Sequence, residues 1–568
     1  MASCISLLPR TTLLSSWTNQ ICCPSSLFQR DFLWPCVCFR SRKWKSKLYP
    51  VPARQFVSGP FGSETSSKEL KNCATFGLSE VQRSDLLVDT SSNNSFNGME
   101  DFENELQELF NEIKTMVKMG NVKDAVDLLQ ANYLAVKEQM NAGLKGIEQA
   151  ALLDVIALGY MAVGDLKLVR PLLDMIDRIV DGLKDDEPLL DSVLVHLGSM
   201  YSVVGKFENA ILVHQRVVGI LEGRYGKGST LLVTPLLGLA KSLGSAGKAN
   251  KGIDVYKRAI TVLESNRGAN SEDLVIPLFA LGKLLLKEKR ATDAEIPFTR
   301  ILNIYTKKYG EKDGRVGMAM CSLANAKCAR GAAEDAIDLY RNALQIIKDS
   351  NYMAIDDSIL ESMRTDLAEL LHLVGRGNEG RELLEECLLI TEKYKGKNHP
   401  SMAKHLLNLA TSYSQSKNFV EAERLLRTCL DIMEKSVGPE DQSITFPMLH
   451  LAVTLSQLNR DEEAESLALK VLQLRENTFG KDSLPVGEAL DCLVSIRARL
   501  GRDDRELLEL VKRVMMIQEK EFGSEAEELI VTLQKIVYFL DKLRMKDEKF
   551  KFRRRIALLR EKYRESIP

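Results

Sequence analysis

Apolar residues follow the period of an α-helix along most of the chain, and the pattern is interrupted at regular intervals. Leu406, Leu409 and Tyr413 fall on one face of a helix, since they are spaced by three and four residues. After a polar break at residues 416–418, a second apolar face of the same period begins at Phe419. The pattern predicts two antiparallel helices joined by a tight turn.

This two-helix unit recurs through the chain. A Leu followed by a small or apolar residue returns every 42 residues, except for one interval of 44 between Leu323 and Leu367. A fixed period of this size is typical of stacked repeat proteins, in which each unit packs on the next. The sequence therefore predicts an all-α solenoid of about eleven antiparallel helix pairs. The recurring Leu residues are Leu197, Leu239, Leu281, Leu323, Leu367, Leu409, Leu451 and Leu493.

Small residues recur in both helices of the unit. Gly inside a helix costs up to about 1 kcal/mol relative to Ala, so its repeated use indicates close helix crossings. In the first helix the small residues are Gly198, Ala240, Gly282, Ala324, Ala368, Ala410 and Ala452. In the second helix they are Ala210, Gly252, Ala294, Ala336, Gly380, Ala422 and Ala464.

The combination of Leu-Gly/Ala-x-x-Tyr in the first helix with Ala in the second resembles the tetratricopeptide repeat. That repeat ordinarily has 34 residues, and the longer unit is similar to those of the kinesin light chain and its plant relatives. The inter-repeat loops at residues 309–313, 395–400 and 479–482 share this likeness. The resemblance implies a right-handed superhelix whose first helices line a concave groove that binds other proteins. HEAT-type helical repeats have a similar period but lack this signature.

The resemblance also implies which side chains face the groove. The position just before the recurring Leu is expected to point inward, and the family often places Asn there. Asn408 matches this expectation, and Asn325, two residues after its Leu, is a second candidate. Lys404 and His450 complete the predicted partner-binding groove. The Lys and Asn set with which chaperone-binding relatives hold a C-terminal carboxylate is not present, so the expected partner is an extended segment or a folded subunit.

The N-terminal hundred residues differ from the repeats in composition. Residues 1–60 contain eight Lys or Arg, twelve Ser or Thr and a single acidic residue, Asp31. A basic, Ser-rich and acid-poor N-terminus is typical of organellar transit peptides, and this one looks more like a chloroplast than a mitochondrial sequence. A disordered cytosolic tail is the alternative. Residues 61–100 are rich in Ser and Asn and are predicted to be a disordered linker.

Net charge and the known chemical motifs limit the function classes. The chain has 77 basic and 78 acidic residues, and removing residues 1–60 leaves 69 and 77. An acidic mature chain disfavours nonspecific nucleic-acid binding. The six His and eleven Cys form no HExxH motif and no zinc-finger spacing, and the Gly-Lys pairs lack the other residues of a phosphate-binding loop. We therefore expect no catalysis, no cofactor and no metal.

The C-terminal residues form a basic amphipathic helix, with Phe552, Ile556, Leu559 and Tyr563 on one face. It is predicted to cap the repeat array with its charges in water. A peripheral contact with an anionic membrane or with RNA is the alternative. The basic cluster comprises Lys542, Arg544, Lys546, Lys549, Lys551, Arg553, Arg554 and Arg555.

These expectations combine into one hypothesis with two alternatives. The chain is predicted to be a non-catalytic protein-interaction scaffold of the chloroplast, in the stroma, that assists assembly or maintenance of a larger photosynthetic complex. The alternatives are a cytosolic cargo adaptor like the kinesin light chain and an organellar RNA-binding repeat protein; a mitochondrial location also stays open. The predicted segments are a transit peptide (1–60), a linker (61–100), degenerate helical repeats (101–186), 42-residue repeats (187–525) and basic capping helices (526–568).

Overall fold

The computed structural model describes residues 97–564, and these residues form α-helices without any β-strand. The predicted all-α class is confirmed. The predicted transit peptide, and the linker up to residue 96, lie outside the described residues. The described part divides into an N-terminal unit, residues 97–311 with 325–331, and a C-terminal unit, residues 312–324 with 332–564.

The N-terminal unit contains ten complete helices, each odd-numbered helix being followed by its even-numbered partner. They are α1 (Asn97–Lys118), α2 (Val122–Asn141), α3 (Ile147–Val163), α4 (Leu166–Val180), α5 (Leu190–Val203), α6 (Phe207–Tyr225), α7 (Val233–Ser245), α8 (Ala249–Arg267), α9 (Val275–Lys287) and α10 (Ala291–Tyr309). The next helix, α11 (Gly314–Arg330), contributes residues to both units.

The C-terminal unit continues the same alternation. Its helices are α12 (Ala333–Asp349), α13 (Ser358–Leu373), α14 (Gly377–Lys395), α15 (Ser401–Gln415), α16 (Phe419–Val437), α17 (Thr445–Gln457), α18 (Asp461–Phe479), α19 (Leu484–Arg499), α20 (Asp504–Phe522), α21 (Leu529–Lys542) and α22 (Lys546–Arg564). Single 3₁₀ turns precede α7, α9 and α17.

Within each unit, first helices pack along the second helices that follow them, as α15 packs along α16. The tight turn between them holds only a few residues, such as 416–418 between α15 and α16, so the two helices are antiparallel neighbours. Within a unit, second helices also contact the first helix of the next pair, as α16 contacts α17. This is the helix-turn-helix unit that the apolar pattern predicts.

The small residues lie at the crossing of the two helices, as predicted. All of them are buried, and the glycines show why. A Cβ atom at Gly252 would lie 2.9 Å from the carbonyl oxygen of Ala240, and one at Gly380 would lie 2.8 Å from that of Ala368. At these two crossings the small residue of the second helix therefore contacts the backbone of the small residue of the first helix.

Seven of the loops after second helices begin with a glycine of the same backbone conformation. Gly438 has a φ of 95° and a ψ of 158°, a region of extended backbone at positive φ that is essentially restricted to Gly. Six further glycines after second helices have the same geometry: Gly226, Gly268, Gly310, Gly396, Gly480 and Gly523.

Candidate functional site

The candidate site is a row of side chains on the first helices of the C-terminal unit. Each lies immediately before the recurring Leu, one residue per repeat, and each is half-buried while the Leu itself is buried. We call these residues the inner row: Asp366 on α13, Asn408 on α15, His450 on α17 and Cys492 on α19.

Lys404, one turn before Asn408 on α15, is exposed but not free. Its Nζ lies 3.2 Å from Oε1 of Glu361 on α13, so it links two successive first helices. The buried His405 beside it lies 3.7 Å from the same carboxylate and 3.1 Å from Oγ1 of Thr391. Lys404 is therefore a positioned cation at the edge of the row.

Asn408 is the polar side chain of the row that is best placed for a ligand. Its amide forms no hydrogen bond with any described residue, although it is half-buried. An amide offers both a donor and an acceptor. A partner that supplies both complementary groups could therefore form two hydrogen bonds with it.

His450 follows Asn408 by one repeat. Its ring centroid is 4.5 Å from that of Phe446, one turn earlier on α17. Burial lowers the pKa of His450 to about 4 because the charged imidazolium is poorly solvated there. The ring is therefore neutral at pH 7, and its side chain has no hydrogen-bond partner among the described residues.

An acidic pair stands at the α13 end of the row, and sequence reasoning did not select it. Burial, and then repulsion by Glu369, raise the pKa of Asp366 to about 7, while Lys404 opposes the shift. Burial also raises the pKa of Glu369. These carboxylates are neither Asn nor Lys, the residue types that the resemblance implies. Their positions, one residue before Leu367 and two residues after it, could have identified them.

Asn325, the fourth predicted residue, lies on α11 and is half-buried. It belongs to the segment of α11 grouped with the N-terminal unit, whereas Lys404, Asn408 and His450 belong to the C-terminal unit. Those three residues lie on two successive first helices of one unit, α15 and α17. A common surface that also includes Asn325 stays a prediction.

The corresponding positions of the N-terminal unit have a different character. Lys241 and Lys283, each two residues after its recurring Leu, stand one repeat apart, and burial together with the charge of Lys283 lowers the pKa of Lys241. His196, which sequence reasoning placed in the groove, is instead 2% exposed, with its Nδ1 2.6 Å from Oδ2 of the buried Asp154. Its register was right, but the packing around it removes it from the surface.

The described residues offer little for covalent chemistry. No group of three His, Cys, Asp or Glu among them could hold a metal ion. Burial raises the pKa of Cys429 and of Cys492 to about 12, so these thiols are protonated at pH 7 and are weak nucleophiles. Of the five described cysteines, Cys321, Cys387 and Cys429 are buried, and all five are free thiols.

Sequence models of the tetratricopeptide repeat match two segments, residues 359–435 and 448–484. The first covers α13 to α16 without their outermost residues, and the second begins within α17 and includes α18. No curated protein sequence matches the chain.

The chain is also similar to solved structures at low sequence identity. Nearly identical TPR-like repeats of a candidate kinesin light chain from Podosopora anserina are 18% identical, over 37% of this chain and 98% of that one, with a TM-score of 0.34. BtubC (BKLC) from P. vanneervenii is 17% identical, over 44% and 93%, with a TM-score of 0.32. The apo quorum sensor NprR from B. thuringiensis is 14% identical, over 66% and 99%, with a TM-score of 0.39.

The 42-residue helix-turn-helix period, the buried small residues at each crossing and the two matched segments agree with one another. The chain carries tetratricopeptide repeats in residues 359–435 and 448–484.

Proposed function

We propose that the chain is a non-catalytic scaffold that captures another protein through the inner row of its first helices. The observation that supports this most directly is the unpaired amide of Asn408, flanked by the positioned cation of Lys404 and the neutral ring of His450. Asn408 and His450 belong to the inner row, which presents one side chain per helix pair, and Lys404 shares α15 with Asn408. An extended segment of a partner, lying across successive first helices, would meet one inner-row residue in each repeat.

The chemistry of the row suits recognition. Asn408 supplies a donor and an acceptor for a peptide backbone, Phe446 supplies apolar surface, and Asp366 with Glu369 supplies carboxyl groups at one end. No nucleophile with a lowered pKa stands among them. We infer that binding, and no covalent step, is the activity of this surface.

The proposed place of action is the chloroplast stroma, where the scaffold would assist assembly or maintenance of a larger photosynthetic complex. The basic, Ser-rich and acid-poor composition of residues 1–60 supports the organelle. The link to a photosynthetic complex is an analogy with other plastid repeat proteins.

Joint replacement of Asn325, Lys404, Asn408 and His450 by Ala tests the binding surface. Partner capture from plant extract should weaken, because polar groups of the partner that lose their hydrogen bonds cost about 1–3 kcal/mol each. Thermal unfolding of the variant should stay close to that of the wild type, since half-buried or exposed polar changes shift stability by about 0.5 kcal/mol.

A matched control replaces exposed polar residues of the second helices, for example Lys251, Lys257 and Lys470, by Ala. This control should capture the same partners as the wild type. An unchanged partner list for the quadruple variant would place the binding surface elsewhere, and turnover of any substrate by the purified chain would contradict a non-catalytic scaffold.

A further inference from the structure

The last helix, α22, combines two features that its role as a cap does not require. It contains nine basic and three acidic residues, whereas the preceding second helix, α20, contains four and five. Its outward face also carries large apolar side chains: Phe550 is 70% exposed and Leu558 is 58% exposed.

The inward face of α22 accounts for its place in the fold. Ile556 and Leu559 are buried against Leu529 and Leu533 of α21, with Phe552 and Tyr563 packed at the margin. Arg555 forms an ion pair with Glu519 of α20 at 2.5 Å. The packing of α22 on the preceding helices therefore uses Ile556, Leu559 and Arg555 and does not require Phe550 or Leu558.

The register of α22 shows why Phe550 is conspicuous. The pair Arg555–Glu519 is equivalent to Arg513–Glu476 one repeat earlier, which aligns residue 550 with residue 508. Leu508 is 3% exposed because it packs against the next helix pair. No described helix pair follows α22. Phe550 is therefore an apolar residue at a position that is buried one repeat earlier, but it stays exposed.

The cations on this face are available as well. Lys549 and Lys562 form ion pairs with Asp541 and Glu525. Five other cations of the helix form no ion pair with any described residue. They flank the exposed apolar side chains and are Lys546, Lys551, Arg553, Arg554 and Arg560.

We propose that this face of α22 binds an anionic lipid membrane surface, with Phe550 and Leu558 inserted between headgroups and the flanking Lys and Arg bound to lipid phosphates. Residues eight apart on a helix are about 12 Å apart along its axis, so the two apolar side chains can enter the same leaflet while the helix lies parallel to it. Asp547 and Glu561 are the exposed acids of this face, and they stand near its two ends. None of the described helices is long and apolar enough to cross a bilayer, so the contact is peripheral.

Charge complementarity points to lipid, and the apolar residues decide against nucleic acid. An RNA backbone would pair with the cations but would leave Leu558 exposed, because RNA offers phosphates and flat bases rather than an aliphatic phase. A membrane interface accepts cations and aliphatic side chains at the same time. The surface therefore fits lipid better than RNA.

The test is sedimentation of the full-length chain with vesicles of phosphatidylcholine alone and with about 30% phosphatidylglycerol added. We expect binding to the anionic vesicles only. The double variant Phe550→Ser/Leu558→Ser should lower the partition coefficient at least about tenfold. The triple variant Lys551→Gln/Arg553→Gln/Arg554→Gln should do the same, and added salt should weaken binding by the wild type.

Two matched controls isolate the face. Leu389→Ser removes an apolar side chain that is 65% exposed on α14, and Lys251→Gln/Lys257→Gln/Lys289→Gln removes exposed cations elsewhere. Both should bind vesicles like the wild type, and all variants should melt cooperatively. Equal binding to both kinds of vesicle, or no effect of the apolar changes, would overturn the proposal. Binding of a single-stranded RNA oligonucleotide that persists in Phe550→Ser/Leu558→Ser while vesicle binding is absent would overturn it in favour of RNA.

Discussion

At the scale of single residues, the crossing glycines show how little space separates the helices. A Cβ atom at Gly282 on α9 would lie 2.5 Å from Cζ of Phe298, a buried ring on α10. Real Cβ atoms do not approach other atoms so closely. The ring occupies the volume that any larger residue at position 282 would need.

Gly282→Ala should therefore destabilise the N-terminal unit. Overpacking costs roughly 1–3 kcal/mol and outweighs the helix propensity gained, at most about 1 kcal/mol. The control is Gly219→Ala on α6, where nothing lies within 4 Å of the new Cβ; it should stabilise by about 0.5–1 kcal/mol. Denaturant unfolding of both variants measures the difference, and equal shifts in the same direction would contradict the crossing geometry.

Asp366 gives a prediction about pH. The pKa of its carboxyl group is raised to about 7 in the folded chain, above the value of about 3.9 expected when the chain is unfolded. As pH rises, the unfolded state therefore releases this proton at a lower pH than the folded state does. The free energy of unfolding falls between about pH 4 and pH 7, and the loss is complete above pH 7. Below about pH 4 both states are protonated and the loss is absent.

Asp366→Asn, which imitates the protonated acid, should raise the free energy of unfolding at pH 8 by about 1–2 kcal/mol, the shift being discounted for partial exposure. The gain should disappear near pH 4. Asp254→Asn, an exposed change on α8, serves as the control and should show no such dependence. A gain for Asp366→Asn that is the same at both pH values would show that burial of the charge is not its cause.

At the scale of helices and helix pairs, the unit is stabilised by an apolar seam that closes at the small positions. Leu409 on α15 and Ala422 on α16 are buried on the two sides of one seam. Each helix is short, and isolated helices of this length are marginal in water. Packing within and between pairs must therefore provide most of the stability.

Leu409→Ala should cost about 2–5 kcal/mol by leaving a cavity, and Ala422→Leu about 1–3 kcal/mol by forcing the crossing apart. Val420→Ala, a truncation of an exposed side chain on the same helix as Ala422, should change stability by about 0.5 kcal/mol or less. Thermal melts of the three variants test the placement of the seam. Wild-type melting by both buried variants would show that it is wrong.

At the scale of the whole molecule, the repeats are acidic and the first sixty residues are basic. That composition is typical of organellar transit peptides, which are removed after import, and we propose this role for the segment. The location of the chain is therefore separable from the chemistry of its repeats.

Residues 1–100 fused to a fluorescent reporter should enter plastids, and the fusion should lose its N-terminal part. Fluorescence microscopy with immunoblotting measures both effects, and a fusion lacking residues 1–60 should stay in the cytosol. A diffuse cytosolic signal from the complete segment would favour a cargo adaptor, and a mitochondrial signal would move the scaffold to that organelle.

Local periodicity was sufficient to determine the all-α class, the helix pairs and the buried small residues. Spacings of three and four residues follow from the geometry of one helix, and the need for Gly or Ala recurs wherever two helices cross closely. Gly252 and Gly380 could thus be assigned to crossings without knowledge of what they touch. The capping face of α22 was predictable for the same reason.

Only the tertiary structure decided which polar side chains remain available to a partner. Lys404 is paired with Glu361, His196 is buried against Asp154, and Asn408 is unpaired, although all three stand at similar registers. Their partners lie on neighbouring helix pairs about 40 residues away, beyond the reach of any helical period. The sequence by itself therefore determined that first helices present one row of side chains, because that depends on local geometry. Packing between repeats determined which of those side chains can bind, because it alone sets their contacts and their solvation.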